Sequence, residues 1–279
     1  MTQQAISTVS PRPFLKWAGG KSQLIEQYQA YFPQQFQRYY EPFLGGGAVF
    51  FFLSQARSPF TAYLSDINTE LVNVYQIVRD RADDLIAVLE KHQTNHSKDY
   101  YYELRSRKFR DPVKKAARII YLNRTCFNGL YRENSKGEFN VPIGRYKNPK
   151  ICDRHLLKCV SEILRSTQID PNPFNSVLES ATNSEDFVYF DPPYYPLNAT
   201  SRFTGYSRYS FSERDQIELK EVFAELGDRG VKVMLSNSDC SFIRELYSDF
   251  KIHTVNANRA INSKGNKRGK INEVLVTSY

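Results

Sequence analysis

Glu41-Pro42-Phe43-Leu44-Gly45-Gly46-Gly47-Ala48 is the stretch of sequence that decides the fold. It joins a predicted strand, residues 38–43, to a predicted helix, residues 48–55, and a second predicted strand follows at 61–66. Glycines at such a junction let the backbone approach a ligand closely, and the helix that follows presents free N–H groups. A strand, a glycine loop, a helix and a second strand in this order predict a doubly wound α/β sheet.

An acidic residue at the end of the second strand indicates what this loop binds. Asp66 follows Gly47 by 19 residues, and an acid so placed hydrogen-bonds the hydroxyls of a ribose. The pair predicts a cofactor that carries a nucleoside. A dinucleotide fingerprint would have a third glycine at position 50, which is Phe50, so NAD and FAD are disfavoured. The aromatic run at residues 50–52 is predicted to lie in the core.

The amino-terminal segment Trp17-Ala18-Gly19-Gly20-Lys21-Ser22 matches a phosphate-binding loop only in part. The full pattern needs glycine at position 15, which is Leu15, and no clear strand precedes it, so this interpretation is rejected. What remains is the single Trp of the chain between Lys16 and Lys21, ahead of a helical pattern at residues 22–32. We predict that the ring packs over a cofactor and that the lysines meet anionic groups.

Asp191-Pro192-Pro193-Tyr194 follows a predicted buried strand that begins at Asp186. Open α/β sheets place their ligands at the carboxyl ends of strands, and two prolines end a strand in a stiff corner because neither can donate a ladder hydrogen bond. Such a corner can hold a carboxylate and nearby carbonyls at the spacing of one planar amino group, with Tyr194 stacked on the ring that carries it. A strand followed by a proline-rich turn would give the same four residues, so the rest of the chain must decide.

Positive charge is concentrated in one part of the chain. The net charge is +8, and residues 98–158 hold 16 Lys or Arg against 6 Asp or Glu, so the remainder carries −2. Such a segment is the expected surface for a polyanion, although a solvated helix face has a similar composition. A second cluster without acids favours the polyanion, and it consists of Arg259, Lys264, Lys267, Arg268 and Lys270.

The periodicity indicates an insertion in the middle of the sheet pattern. Residues 81–125 are predicted to be mostly helical, and residues 127–146 are rich in turns, with Asn128-Gly129 and Lys136-Gly137. Sheet-like patterns resume only near Asp186. We therefore predict a catalytic domain from residues 1–69 and 161–279, and an inserted subdomain from residues 70–160. The elements predicted after Asp191 are helices at 213–226 and 241–247 and strands at 231–236, 251–255 and 272–277.

Several classes of protein are disfavoured by composition. No apolar run approaches the length of a membrane span, and residues 1–7 lack the features of a signal peptide. The four cysteines form no Cys-x-x-Cys pair, which is typical of reduced thiols in a cytoplasmic protein. His92 and His96 are predicted to be solvated, and nothing argues for a metal.

Three motifs, in order, resemble the Dam-type DNA adenine-N6 methyltransferases of the α group. Phe14-Leu15-Lys16-Trp17-Ala18-Gly19-Gly20-Lys21 is similar to the opening cofactor motif of that family. The loop at residues 41–50 is similar to its glycine loop, and residues 191–194 are similar to its catalytic motif. The similarity continues through the insertion, at residues 121–124, 128–130 and 137–146.

The resemblance implies a Rossmann-like class I methyltransferase sheet with a mostly helical inserted DNA-recognition subdomain that carries a β-hairpin. It also implies S-adenosyl-L-methionine as cofactor, with Asp66 at the ribose and Phe174 near the adenine. The residues implied to bind this cofactor are Trp17, Lys21, Glu41, Phe43, Gly45, Gly47, Asp66, Phe174 and Asp191.

The implied reaction is methylation of adenine N6 in duplex DNA, in the sequence GATC, after the base has been flipped out of the stack. Asp191 and the carbonyl of Pro192 would accept the two amino hydrogens, and Tyr194 would stack on the ring. In the hairpin, Arg132 would contact a guanine, Leu130 and Pro142 a thymine methyl, and Phe127 beside Asn128 would wedge into the stack. Lys16 would read the outer guanine, and the remaining contacts with DNA would come from Arg124, Lys136, Arg145 and Lys147.

Other functions stay open at this level. A related enzyme that methylates RNA or a protein amide would share the proline-tyrosine motif and the cofactor fold. A DNA-binding protein that has lost catalysis is a third possibility, although Glu41, Asp66 and Asp191 are intact. The sequence leaves open whether the enzyme is an orphan or is paired with a restriction endonuclease. We expect a cytoplasmic monomer that associates with the nucleoid through DNA, with no membrane or metal partner.

Overall fold

The computed structural model describes residues 9–57, 59–134, 136–197, 211–258 and 270–279, and a seven-stranded sheet runs through these residues. The strands are β1 (Arg38–Glu41), β2 (Thr61–Ser65), β3 (Thr167–Asp170), β4 (Asp186–Phe190), β5 (Lys232–Ser238), β6 (Lys251–Asn258) and β7 (Lys270–Thr277). The helices are α1 (Ile25–Tyr28), α2 (Ala48–Ala56), α3 (Thr69–Asp80), α4 (Ala82–Thr94), α5 (Lys98–Ser106), α6 (Pro112–Thr125), α7 (Arg154–Leu164), α8 (Glu213–Asp228) and α9 (Ser241–Leu246).

The strand order is β3-β2-β1-β4-β5-β7-β6. The first five strands of this order are parallel, and β7 runs antiparallel between β5 and β6. The predicted Rossmann-like, doubly wound sheet is confirmed. Because β1 and β4 are neighbours at the point where the order reverses, the segments that follow their carboxyl ends meet at the switch point.

The two faces of the sheet are covered by separate apolar cores. Side chains alternate along a strand, so β4 sends Phe187 and Tyr189 into one core and Val188 and Phe190 into the other. All five residues of β4 are buried, as expected for a central strand of a parallel sheet. Phe50 and Phe51 are buried in the first core, which confirms the prediction for this run.

The predicted insertion, residues 70–160, contains all of α3 except its first residue, then α4, α5, α6 and the first part of α7, and α6 packs on both α3 and α4. The first core continues from the sheet into these helices without a break, through Tyr75, Leu89 and Ile120. The boundaries at 69/70 and 160/161 stay a prediction, and α7 runs across the second of them.

Residues 127–146, which we call the recognition hairpin, form an irregular loop rather than two regular strands at the positions that the structure describes, all but residue 135. In the residues that the structure describes, its two arms are joined by the isolated bridges Cys126–Ile143 and Glu133–Phe139 and by backbone hydrogen bonds such as that from Asn140 N to the Arg132 carbonyl at 3.0 Å. The tight turn predicted at Asn128-Gly129 is confirmed, because both residues have positive φ, 55° and 64°. Leu130 N closes this turn by donating to the Phe127 carbonyl at 3.3 Å.

Three predictions of local structure are wrong. The helix predicted at residues 22–32 is a 3-10 turn, Lys21–Gln23, followed by the short α1. Strand β3 was missed, because its four residues include the polar Gln168 and Asp170. The histidines are packed rather than solvated: His92 is buried with Nδ1 2.7 Å from the Tyr100 hydroxyl, and His96 Nδ1 lies 2.8 Å from that of Tyr121.

Two further sequence predictions concern the second basic cluster and membrane-spanning helices. Of the second basic cluster, Arg259, Lys264, Lys267 and Arg268 lie outside the described residues. No helix in the described part of the chain is long and apolar enough to cross a bilayer.

Candidate active site and nucleic-acid interface

Asp191 directly follows β4 and lies at the centre of the candidate site. Its Oδ1 lies 2.8 Å from Lys21 Nζ, and the same oxygen accepts a 2.8 Å hydrogen bond from Ser236 Oγ. The Lys21 side chain is only 4% exposed, whereas that of Asp191 is 20% exposed. The ion pair is therefore closed on the lysine side and open on the carboxylate side.

Tyr194 is tied to the sheet by its hydroxyl. The hydroxyl donates to Glu273 Oε2 at 2.6 Å, and the Tyr28 hydroxyl reaches the same oxygen at 3.3 Å. Burial, then the nearby Tyr28 and Asp191, raise the pKa of Tyr194, so the phenol keeps its proton. Lys21 Nζ lies 4.6 Å from the centre of the Tyr194 ring, a cation–π distance.

The backbone after Asp191 is held by three buried side chains that the sequence prediction missed. Gln216 Nε2 donates to the Pro193 carbonyl at 2.9 Å, and Asn237 Oδ1 accepts from the Tyr195 N–H at 3.1 Å. Ser238 Oγ donates to the Tyr195 carbonyl at 2.7 Å, and Asn237 Nδ2 bonds Gln216 Oε1 at 3.0 Å. We call Gln216, Asn237 and Ser238 the clamp. The signal available in the sequence was the polar run at 236–238, where β5 ends.

The glycine loop after β1 is bound to β2 and α3. Gly45 N donates to Asp66 Oδ2 at 3.1 Å, and the Tyr75 hydroxyl donates to the Gly45 carbonyl at 3.1 Å. Trp17 lies on this loop, since a Cβ added to Gly45 would come 2.9 Å from Trp17 Cδ1. Gly45 also has φ 47°, so both space and backbone conformation require glycine. Burial raises the pKa of Asp66.

Glu41, at the end of β1, lies under the loop rather than on its surface. Its Oε2 accepts from the Tyr39 hydroxyl at 2.8 Å and from Phe50 N at 3.1 Å. Its side chain is 3% exposed, and this burial raises the pKa of Glu41 to about 8. The carboxyl group thus joins β1 to the first turn of α2 and supports the loop from below.

Aromatic side chains lie beside the glycine loop, in the segments that follow β1 and β3. Phe43 stacks on Phe174, with ring centres 5.5 Å apart and planes at 20°. Phe174 begins the 3-10 turn Phe174–Glu179, which follows β3. Ile67, next to Asp66, is 52% exposed. The structure therefore brings together predicted cofactor residues from the segments that follow β1, β2, β3 and β4.

The recognition hairpin presents the exposed part of the predicted DNA-binding set. Phe127 is 48% exposed, a large value for an apolar side chain. Arg132 is exposed and its Nε donates to Asn140 Oδ1 at 2.7 Å. The other exposed members are Asn128, Lys136, Pro142, Arg145 and Lys147.

Lys16, Leu130 and Arg124 are half-buried members of the same set. Lys16 is built into the base of the hairpin: Lys16 N donates to Asn123 Oδ1 at 2.8 Å, and its side chain passes so close to Gly129 that an added Cβ would come 2.5 Å from Lys16 Cδ. Burial lowers the pKa of Arg124, with Asp153 acting against it.

Across the described ranges, no group of three or more His, Cys, Asp or Glu side chains lies close enough together to hold a metal ion.

Comparisons with known proteins identify the family. The model of the D12 class N6 adenine-specific DNA methyltransferases matches residues 17–261. A Type II methyltransferase of Lactococcus lactis subsp. cremoris is 47% identical over 97% of this chain and 96% of its own length. One of Methanocaldococcus jannaschii is 44% identical over 96% of this chain and 99% of its own length. The DNA adenine methylase of Escherichia coli is 37% identical over 95% of this chain and 94% of its own length. The chain belongs to the D12 class N6 adenine-specific DNA methyltransferase family.

Proposed function

We propose that the protein transfers the methyl group of S-adenosyl-L-methionine to N6 of adenine in duplex DNA, in the sequence GATC, after flipping the base. One observation carries the proposal: the Asp191 corner, clamped by buried side chains, lies at the switch point together with the glycine loop and Asp66. The Asp191 corner and the glycine loop thus lie at the same edge of the same sheet.

The residues present fit the proposed cofactor. Asp66 directly follows β2 and lies beside the positive-φ Gly45, in the position of an acid that hydrogen-bonds a ribose. The Phe43–Phe174 stack and the exposed Ile67 offer apolar faces for an adenine ring. Trp17, Lys21 and Gly47 complete the set, and Glu41 acts from beneath by fixing the loop. When bound, S-adenosyl-L-methionine supplies an electrophilic methyl group.

The chemistry at the corner follows from the target amine. The lone pair of the adenine amino group is conjugated into the ring, so the nitrogen is a poor nucleophile. Asp191 and the Pro192 carbonyl accept one hydrogen bond each from the amino group and so draw the lone pair out of conjugation. Lys21 and Ser236 both contact Oδ1 of Asp191, so we assign Oδ2 to the adenine. No covalent enzyme intermediate is needed, because positioning and electrostatics lower the barrier of a single displacement. N6 would gain the methyl group and lose one of its two protons, which the open side of the Asp191 carboxylate would pass to solvent.

Tyr194 stacks on the flipped ring in this proposal. Its hydroxyl bond to Glu273 fixes the plane of its ring before substrate arrives. Flipping costs a few kcal/mol of unstacking and unpairing, and a ring that is already oriented offsets part of that cost. Phe127, exposed at the hairpin turn, fills the space that the base leaves.

The recognition hairpin reads the sequence. Arg132 contacts a guanine, for which Arg is the usual bidentate partner in the major groove, and Lys16 contacts the outer guanine. Leu130 and Pro142 meet a thymine methyl, and Asn128 supports the wedge. Phosphate contacts fix register without carrying sequence information, and we assign them to Arg124, Lys136, Arg145 and Lys147.

The remaining expectations follow from this substrate. We expect the protein to act as a monomer in the cytoplasm, where it associates with the nucleoid by binding DNA.

The test is methyl transfer from labelled S-adenosyl-L-methionine to a duplex that contains GATC, and to duplexes with one base pair of that site changed. We expect label in N6-methyladenine of the GATC duplex and a large loss of rate for each changed pair. Equal rates on all duplexes would refute the specificity, and preferential label in RNA or protein would refute the substrate class.

A further inference from the structure

Tyr131 of the recognition hairpin makes three contacts that no part of the proposed function uses. Its hydroxyl lies 2.6 Å from Glu133 Oε1 and 2.9 Å from Glu70 Oε2. Its ring stacks on Trp17, with centres 5.2 Å apart and planes at 30°. One side chain thus touches the hairpin itself, helix α3 and the amino-terminal segment.

Two of these contacts lead directly to the proposed cofactor site. Trp17 lies on the glycine loop at Gly45. Glu70 stands in the first turn of α3, whose N-cap is Asn68, and Asn68 N donates to Asp66 Oδ1 at 2.9 Å. Tyr131 therefore reaches elements on both sides of the loop.

The third contact, with Glu133, lies beside Arg132, the residue assigned to read guanine. Tyr131 and Glu133 flank it in sequence, and alternation along an extended chain turns both to the side opposite Arg132. Glu133 is 8% exposed and is bridged to Phe139. Arg132 itself is exposed and bonds Asn140. Its backbone is thus anchored inward on both sides while its guanidinium faces outward.

The chemistry of the cluster favours a donor that stays in place. A phenol has a single hydrogen, so the two carboxylates share one donor. Burial, then Glu70 and Glu133, raise the pKa of Tyr131, which keeps that hydrogen. Burial lowers the pKa of Arg118 in α6, and the nearby Glu70 and Glu133 act against this effect, while its guanidinium donates to the Leu104 and Arg105 carbonyls.

We propose that Tyr131 is a positioning residue whose hydroxyl fixes Arg132 relative to the cofactor loop, so that a correctly read guanine and a correctly placed methyl donor favour the same arrangement. This inference rests on the proposed function. It assigns sequence discrimination partly to a side chain that is directed away from the assigned reading surface.

The test is a competition between a GATC duplex and a duplex with the guanine pair changed, methylated in one tube by wild type and by Tyr131→Phe. Phe keeps the ring that stacks on Trp17 and removes only the hydroxyl. We expect the ratio of the two products to fall about tenfold, the effect of losing one hydrogen bond to a charged group. The ratio does not depend on how much of the variant is folded.

The matched control is Tyr40→Phe, which removes a hydroxyl that donates to the Ser180 carbonyl at 3.1 Å, on the other core. It should leave the ratio unchanged. Glu70→Leu should lower the ratio as Tyr131→Phe does, and Glu70→Gln, which keeps an acceptor oxygen, should restore most of it.

The inference is overturned if wild type discriminates and Tyr131→Phe discriminates equally well. If wild type itself shows no preference or no methylation, the proposed function fails instead.

Discussion

The Asp191 corner and the recognition hairpin would meet the same piece of DNA, yet they are built in opposite ways. The backbone after Asp191 is held by Gln216, Asn237 and Ser238, of which none is more than 3% exposed. The described part of the hairpin is held by isolated bridges and single backbone hydrogen bonds instead of a regular ladder, and it presents Phe127 and Arg132 to solvent.

The difference matches what each region is proposed to do. Methyl transfer needs the amino group of adenine fixed against the donor, since a displacement of about 1 Å can cost about 100-fold in rate. Reading a base needs exposed donors that can enter a groove. A region built like the corner could not enter DNA, and one built like the hairpin could not hold a reaction geometry without support.

The largest effect is expected from Asp191→Asn. The amide keeps an oxygen for Lys21 and Ser236 but removes the charge and places an N–H₂ group in the site. We expect kcat to fall by about 10²–10³-fold, the size of effect seen when one stabilising group is removed. Steady-state methyl transfer measures this, and binding of a GATC duplex should be unchanged. Asp249→Asn, at an exposed position, is the control; wild-type turnover by Asp191→Asn would refute the assignment.

A pH effect on stability is expected from Glu41. Burial raises the pKa of Glu41 in the folded protein to about 8, from an ordinary value of 4.5. The protonated carboxyl group therefore contributes fully to the free energy of unfolding below pH 4.5, and this stabilisation is lost as the pH rises towards 8. Each pKa unit corresponds to about 1.4 kcal/mol. Denaturant titrations should show that the free energy of unfolding of wild type declines from pH 5 to 8 relative to that of Glu41→Gln.

Glu221→Gln, at an exposed position, controls for a change of net charge and should follow wild type across this range. Parallel pH curves for wild type and Glu41→Gln would contradict the burial of a protonated carboxyl group under the loop.

Loss of the clamp should affect turnover more than binding. Asn237→Ala removes the oxygen that accepts from the Tyr195 N–H and the amide that donates to Gln216 Oε1, and the loss of a hydrogen bond to a buried polar group such as Gln216 costs about 1–3 kcal/mol. We expect kcat to fall about tenfold while KM for DNA stays close to that of wild type. Asn95→Ala, on the surface after α4, should change neither constant. A change confined to KM would show that the clamp does not position the corner.

The smallest effect is expected from Lys147→Ala, at an exposed residue that directly follows the hairpin. One phosphate contact less should reduce the slope of log affinity against log salt by about 1 and weaken binding to matched and changed duplexes alike. Filter binding at several salt concentrations measures both. Lys232→Ala, which removes a lysine bonded to the Gln35 and Ser184 carbonyls, is the control. A loss confined to the GATC duplex would mean that Lys147 reads a base.

How far the sequence predicts this molecule depends on the kind of residue. The sheet followed from local signals: the glycine loop, the acid at position 66 and the apolar run before Asp191 each report their own element. Strand β3 gave no such signal, because an edge strand of four residues with Gln168 and Asp170 lacks an apolar run. The histidines were misjudged because the aromatic side chains that bury them, Tyr100 and Tyr121, belong to other helices.

The site divides in the same way. Motif residues such as Asp191, Asp66 and Gly45 were named from sequence, and the structure brings the last two into direct contact. The clamp residues were not named from sequence, because Gln216 lies on α8 and Asn237 on β5, and only the fold brings them to the backbone at residues 193–195. Glu41 was predicted to contact the cofactor, and its observed partners are Tyr39 and Phe50.

The most direct test of the division between chemistry and reading is one competition assay with Arg132→Gln and Asn237→Ala. Each variant methylates a GATC duplex and a duplex with the guanine pair changed in the same tube, and the product ratio is measured. We predict that Arg132→Gln loses about 1–3 kcal/mol of discrimination, so that its product ratio moves towards one. Asn237→Ala should slow the formation of both products and leave their ratio at the wild-type value. An unchanged ratio for Arg132→Gln together with a changed ratio for Asn237→Ala would contradict the account.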